Sequence, residues 1–293
     1  MFTGSTPALV TPMLADGAID FAAWDRLLDL HLAAGTDALV VGGTTGESPT
    51  LDRAELEELI RRARRRVAGR LPVIAGSGTN GTTKSIALSR LCEAAGADAL
   101  LLVTPYYNRP TQLGMRRHFE AIADAVAIPV LLYNVPGRTA CDLLPETVLE
   151  LAAHPRIAGI KEATGDLARI RAIVAGAPAD FVVLSGDDPT AAEALRLGAR
   201  GVISVTANVA PRPMHELCAA ARAGRHGDAA AIDAQLAALH TALFVEPNPI
   251  PAKWALERLG LIGPGIRLPL TPLSAERRAA VEAAMRTAGL DLP

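Results

Sequence analysis

The chain has 293 residues, half of them hydrophobic and one fifth charged, so it can bury a sizeable core and is too apolar to be disordered. Its formal net charge of -2 gives no electrostatic case for nucleic acid or an acidic membrane surface, and no apolar run is long enough to span a bilayer. Three scattered cysteines (Cys92, Cys141 and Cys218) lack metal-ligand spacing, and residues 1–14 carry no secretory pattern, so reduced thiols in a cytoplasmic protein are expected.

Short apolar runs alternate with longer helical patterns. Strands are predicted at 6–10, 38–41, 72–75, 99–103, 130–133, 157–161, 181–185 and 201–205. Most are near-continuously apolar, as strands covered on both faces must be. Asp20 is placed to cap the helix bearing Trp24, Leu27, Leu28 and Leu32, with Gly35 closing it in a left-handed conformation. Asp52 and Glu55 have the spacing of a capping box. Arg61, Arg62, Arg64, Arg65 and Arg66 follow Glu57 and Glu58 at helical spacing, which predicts a salt-bridged solvent face rather than a nucleic-acid site. The segment Ala-Ala-Gly-x-Asp-Ala-Leu occurs at 33–39 and again at 94–100, each time where a helix closes on glycine and turns into a strand. After residue 224 the alternation stops; an Ala-rich helix, a proline-rich break at 246–251 and two more helices follow.

Eight strands, each followed by a helix, predict an α/β fold of (β/α)8 TIM-barrel type over residues 1–224, with a C-terminal helical domain over 225–293. A doubly wound open sheet is the alternative. It would ordinarily carry a Gly-x-Gly-x-x-Gly turn after its first strand, and none follows Val10.

In such a barrel the chemistry sits at the C-terminal strand ends. Of the 29 basic residues only Lys84, Lys161 and Lys253 are lysine, so a lysine ending the buried run 157–161 asks for a chemical reason. A primary amine releases its proton and attacks a carbonyl to form an imine; a guanidinium does not. The chain's three tyrosines, Tyr106, Tyr107 and Tyr133, all fall at strand ends, as do the turn Gly42-Gly43-Thr44-Thr45-Gly46-Glu47-Ser48 and the segment Val135-Pro136-Gly137-Arg138-Thr139. An amine, phenols, hydroxyls, glycine-rich turn amides and an arginine suit a class I aldolase, with the lysine imine as electron sink and no metal or cofactor. The six histidines show no ligand spacing. Arg138 fits either an acceptor-binding role or a loop ion pair. Asp187 and Asp188 read as caps of the following helix, Glu47 as fixing its turn, and Lys253, beyond the barrel, has no assigned role.

Gly43-Thr44-Thr45-Gly46-Glu47-Ser48, Tyr106-Tyr107-Asn108-Arg109-Pro110, Tyr133-Asn134-Val135-Pro136-Gly137-Arg138-Thr139, Lys161-Glu162-Ala163 and Gly201-Val202-Ile203-Ser204-Val205 together resemble the dihydrodipicolinate synthase (4-hydroxy-tetrahydrodipicolinate synthase) family. The likeness extends to Pro249-Ile250-Pro251-Ala252-Lys253 and Leu268-Pro269-Leu270-Thr271-Pro272, hence over essentially the whole chain. The glycine turn and strand lysine alone indicate only the wider pyruvate-dependent aldolases, which include N-acetylneuraminate lyase; the double tyrosine and Pro-Gly-Arg are the narrower signal.

The resemblance implies condensation of pyruvate with aspartate semialdehyde on the diaminopimelate route to lysine. It assigns the imine to Lys161 and proton transfer to Tyr133, relayed through Thr44 and through Tyr107 from a neighbouring subunit. Thr45 and its turn amides take the pyruvate carboxylate and Arg138 the semialdehyde carboxylate, while Gly186 and Ile203 line the site through backbone. A homotetramer built as a dimer of dimers is implied. Two other readings remain: another pyruvate aldolase or hydratase acting on a different acceptor, such as a 2-keto-3-deoxy sugar acid, and a non-catalytic pyruvate-binding regulator. Lysine-inhibited bacterial members of the family typically carry histidine where Leu56 stands and glutamate where Lys84 stands, so weak or absent lysine feedback is expected.

Overall fold

The computed structural model describes residues 2–293. Eight strands form one sheet: β1 Gly4–Pro7, β2 Leu39–Val41, β3 Val73–Gly76, β4 Ala99–Val103, β5 Val130–Asn134, β6 Ile157–Glu162, β7 Val182–Ser185 and β8 Gly201–Ser204. Every ladder is parallel, and β1 pairs with β8. The remaining gap closes where Ala8 bridges Val40 and the Leu9 amide donates to the Val40 carbonyl at 3.0 Å. This is the expected (β/α)8 barrel.

The strand ends moved slightly. The first strand starts earlier than predicted and ends at Pro7; beyond it Ala8 and Leu9 still reach neighbouring strands, and the Val10 amide is taken by the Asn208 side chain at 3.0 Å. Strands β5 and β6 each run one residue further than predicted, to Asn134 and Glu162, which pair with each other.

The caps read at Asp20, Gly35 and Asp52 form as expected. Asp20 accepts from the Ala23 amide, and Gly35, at φ 84°, closes the helix Phe21–Ala34 in the left-handed region. Asp52 and Glu55 make both halves of the capping box of Arg53–Val67. On that helix Arg61 pairs with Glu57, Arg62 and Arg65 with Glu58, Arg64 with Asp98 and Arg66 with Asp29, which makes the basic cluster a network of partly exposed ion pairs.

Inside the barrel Ala8, Val40, Ile74, Leu101, Leu131, Tyr133, Leu184 and Ile203 pack together. A second cluster joins the barrel's outer layer to the C-terminal helices His226–Ala242, Ile250–Arg258 and Ala275–Thr287, through Met214, Leu217, Leu236, Leu239, Leu256 and Met285. Burying such side chains is worth about 1.5–3 kcal/mol each, so the extension is held on the barrel by a continuous apolar seam. Among the described residues no helix is long and apolar enough to cross a membrane.

Candidate active site

The ladder between β5 and β6 sets the centre of the site. It places Tyr133 opposite Lys161 and Asn134 opposite Glu162. Because side chains alternate along a strand, the first pair faces the barrel mouth and the second faces away from it. Lys161 Nζ lies 4.3 Å from the centroid of the Tyr133 ring, and both residues are buried. The amine therefore sits over the face of the phenol ring, within cation–π range.

Behind them the second pair is tied down. Asn134 Nδ2 donates to Glu162 Oε2 at 3.1 Å and to Asp142 Oδ1 at 3.0 Å, and Asn134 Oδ1 accepts from the Leu143 amide. Arg169 grips both Asp142 oxygens. Burial pushes the Glu162 carboxyl above its ordinary range, against the opposing donors Asn134 and Thr164. Burial also acts upward on Asp142, but bonds from Arg169 and Asn134 outweigh it and hold that carboxyl below its usual value. This network fixes the backbone on either side of Tyr133 and Lys161.

A cleft of about 590 Å³, solvent at its open mouth included, runs over this pair. Thr44, Thr45, Tyr133, Arg138, Lys161 and Gly186 all line it, so six of the eight expected site residues converge. Gly186 has a steric reason to be glycine: a Cβ there would lie 2.7 Å from Lys161 Cε and 2.5 Å from Ala163 Cβ. Thr45 is buried and accepts from Asn248 Nδ2 at 2.9 Å, which leaves its own hydroxyl proton free to donate to a ligand. Arg138 is exposed at the mouth and donates to the Asn248 carbonyl at 3.2 Å.

The other two expected residues sit elsewhere. Ile203 is buried in the barrel interior, and the β8 side of the cavity is lined by Val205 instead. Tyr107 is 88% exposed, at φ 75°, and does not line the cavity of its own chain. Asp187 and Asp188 do not cap the following helix. Asp188 is buried and accepts the Val205 and Thr206 amides at 2.9 Å each, tying the β7 and β8 loops together, while Asp187 accepts from the Thr190 hydroxyl at 2.7 Å. Short-range capping loses here to a longer-range demand, since the amides at the end of β8 have no strand partner of their own.

Sequence reasoning missed the contribution of the C-terminal segment. Phe244 and Asn248 line the cavity, and Lys253 forms a buried ion pair with Glu47, whose other oxygen accepts the Arg267 amide at 3.0 Å. The rarity of lysine, which singled out Lys161, was an available signal for Lys253 as well. Among the described residues no group of three or more His, Cys, Asp or Glu is placed to hold a metal ion.

A parallel eight-stranded barrel with a buried lysine at the mouth end of β6, faced by a tyrosine from β5, defines a lysine-imine aldolase of the class I type. A family model described as the dihydrodipicolinate synthetase family matches residues 1–288, and the chain belongs to that family. It is 57% identical over 290 residues to a 4-hydroxy-tetrahydrodipicolinate synthase of Stutzerimonas stutzeri, covering 99% of each chain. To the synthase of that name from Methylococcus capsulatus it is 58% identical over 290 residues, covering 99% of this chain and 100% of the other. A crystal structure of a dihydrodipicolinate synthase from Acinetobacter baumannii complexed with pyruvate superposes with a TM-score of 0.98 at 48% identity, covering 99% of this chain and 100% of that one.

Proposed function

We propose that the protein condenses pyruvate with L-aspartate 4-semialdehyde to give 4-hydroxy-tetrahydrodipicolinate, the first committed step of the diaminopimelate route to lysine. The observation that carries the reading is the buried contact of Lys161 with Tyr133 in a cavity shared with Thr44, Thr45 and Arg138. Lys161 Nζ attacks the keto carbon of pyruvate, and the resulting carbinolamine loses water to leave an imine. The imine withdraws electrons from the adjacent methyl, which gives up a proton to form an enamine. The enamine carbon attacks the aldehyde carbon of the second substrate, and the aldehyde oxygen takes up a proton. The substrate's own amine then adds to the imine carbon, expels Lys161 and closes the ring. The imine is the electron sink at each step, so the chemistry calls for no metal or other cofactor.

Tyr133 moves the protons in this scheme, with Thr44 passing them on. The Thr45 hydroxyl and the turn amides hold the pyruvate carboxylate, and the Gly186 backbone lines the site. Arg138, at the mouth, holds the semialdehyde carboxylate in a bidentate contact. Tyr107 projects from a strained backbone into solvent, which suits a residue that completes the relay in a neighbouring subunit. A homotetramer assembled as a dimer of dimers, working in the cytoplasm, fits this arrangement. In this reading residues 1–224 are the catalytic barrel and residues 225–293 a helical domain that closes one side of the site.

The test is a coupled assay offering pyruvate with aspartate semialdehyde and with other aldehydes, together with borohydride reduction in the presence of pyruvate. One reduced pyruvate adduct on Lys161 and turnover only with the semialdehyde are expected. A preferred sugar aldehyde, or an adduct on Lys84 or Lys253, would overturn the reading.

A further inference from the structure

The turn Gly43–Ser48 presents Thr44 and Thr45 to the cavity and is closed by local backbone bonds. The Gly46 amide donates to Gly43 at 3.0 Å, the Glu47 amide to Thr44 at 3.1 Å, and the Thr11 hydroxyl to Gly46 at 2.7 Å. Glu47 itself sits at φ 57° and ψ 35°, a left-handed conformation that crowds any side chain with a Cβ. Glycine or asparagine adopts it more readily; the Thr50 amide and hydroxyl donate to the Glu47 carbonyl at 2.9 and 3.0 Å, and the Glu47 side chain is held from outside the turn.

What holds it comes from the far end of the chain. One carboxylate oxygen takes Lys253 Nζ and the other the Arg267 amide, and the Glu47 and Lys253 side chains are 1% and 5% exposed. Burial lowers the affinity of Lys253 for its proton, and the neighbouring Glu47 carboxylate opposes that drift. A charge pair this deep contributes little net stability, because desolvation consumes most of the Coulombic gain. Its geometric consequence is larger. Lys253 lies on the helix Ile250–Arg258, and Asn248, just before that helix, donates to the Thr45 hydroxyl at 2.9 Å. One short segment therefore grips the turn twice, at residue 45 and at residue 47.

We propose that Glu47 and Lys253 are positioning residues that lock the turn Gly43–Ser48 onto the C-terminal segment, in the conformation that receives pyruvate. The proposal rests on the reading that this turn holds the pyruvate carboxylate. Lys253 touches no substrate; it acts through Glu47 and the turn. Side chains displaced by a fraction of an ångström lose near-attack geometry, so removing the latch weakens use of pyruvate by roughly tenfold to hundredfold.

The experiment compares Lys253→Met, Glu47→Gln and the two together with the wild-type enzyme. It measures melting temperature, the pyruvate concentration giving half-maximal borohydride-trapped imine, and KM for the semialdehyde at saturating pyruvate. Each single variant leaves a buried polar partner unpaired and is expected to melt lower. The double variant has no buried charge at this place and is expected to regain melting temperature. It should still need about tenfold more pyruvate, with the KM for semialdehyde within about twofold of wild type. Recovery of pyruvate affinity along with melting temperature would show a stabilising pair and no positioning role. Equal weakening toward both substrates would show general loosening, which also overturns it. Thr45→Ala, run in parallel, tests the pyruvate reading itself: unchanged pyruvate trapping there removes the Thr45 hydroxyl from the pyruvate site. Weakened trapping in Thr45→Ala with normal trapping in the latch variants removes only the positioning role.

Discussion

Tyr133 and Tyr107 make a pair of opposites. Tyr133 lies within β5, 7% exposed, with its backbone in register on both sides. Tyr107 lies in the loop after neighbouring β4, 88% exposed, on a backbone at φ 75°. Both are tyrosines beside one barrel mouth. A strand residue is aimed by its ladder, so its place follows from pairing alone. A loop residue is aimed by whatever covers it, and nothing in its own chain covers Tyr107. The tyrosine on the strand lines the cavity of its own chain, whereas the tyrosine on the loop projects away from it.

The strand side depends most on Lys161, the residue facing Tyr133. Lys161→Arg keeps the charge and loses the nucleophile, so turnover should fall by at least about a thousandfold and no pyruvate adduct should be trapped. A trappable adduct in that variant would show that another amine carries the reaction.

The loop side is probed by lysine. Leu56 is buried beneath the Gly42 turn, and Lys84 stands exposed on the helix Thr82–Ala94. A ligand ammonium approaching this face meets a like charge in place of an anion. Loss of one attraction and gain of one repulsion, each of order 1 kcal/mol or more, weaken lysine inhibition by about a hundredfold. Titrating lysine into a steady-state assay checks it: half-inhibition below about a millimolar would contradict the expectation.

Arg138 sits between the two regions, on the segment after Tyr133 but exposed like Tyr107. A charge-assisted bidentate contact is worth about 1.5–3 kcal/mol, so Arg138→Ala should lower kcat/KM for the semialdehyde by about tenfold to hundredfold. Imine formation with pyruvate should be nearly unchanged; equal loss in both half-reactions would make Arg138 structural.

Whether Tyr107 serves a neighbour is decided by mixing. Lys161→Ala and Tyr107→Phe subunits, each inactive alone, should recover up to about a quarter of wild-type activity once they exchange, since only mixed pairs hold one complete site. Proven exchange without recovery would place Tyr107 in its own chain's site.

The smallest effect concerns the packed shell that supports the strand side. Burial lowers the His31 imidazole to about 4 from its ordinary 6.5. Above pH 6.5 the ring is neutral folded or unfolded and costs nothing. As pH falls from 6.5 toward 4 the unfolded chain takes up a proton that the folded ring refuses, so stability is lost across that window. His31→Gln should flatten the pH dependence of melting temperature there by about 2–4 °C per pH unit. An unchanged slope would mean that other groups govern the acid limb.

The barrel was legible in the amino-acid sequence, and Lys161 and Tyr133 were singled out there. Its strand and helix patterns are local, so each of the eight strands, the Asp20 and Gly35 caps and the Asp52–Glu55 box were readable within short windows. Lys161 and Tyr133 stood out because a polar residue ending a buried strand is anomalous on local grounds. Long-range packing is what brings Asn248 to Thr45 and Lys253 to Glu47, and what turns Asp188 to the β8 amides instead of to its own helix. Asn248 and Lys253 lie about two hundred residues from their partners. No periodicity or cap pattern carries information over that separation; the apolar seam that docks the C-terminal helices on the barrel brings those side chains together.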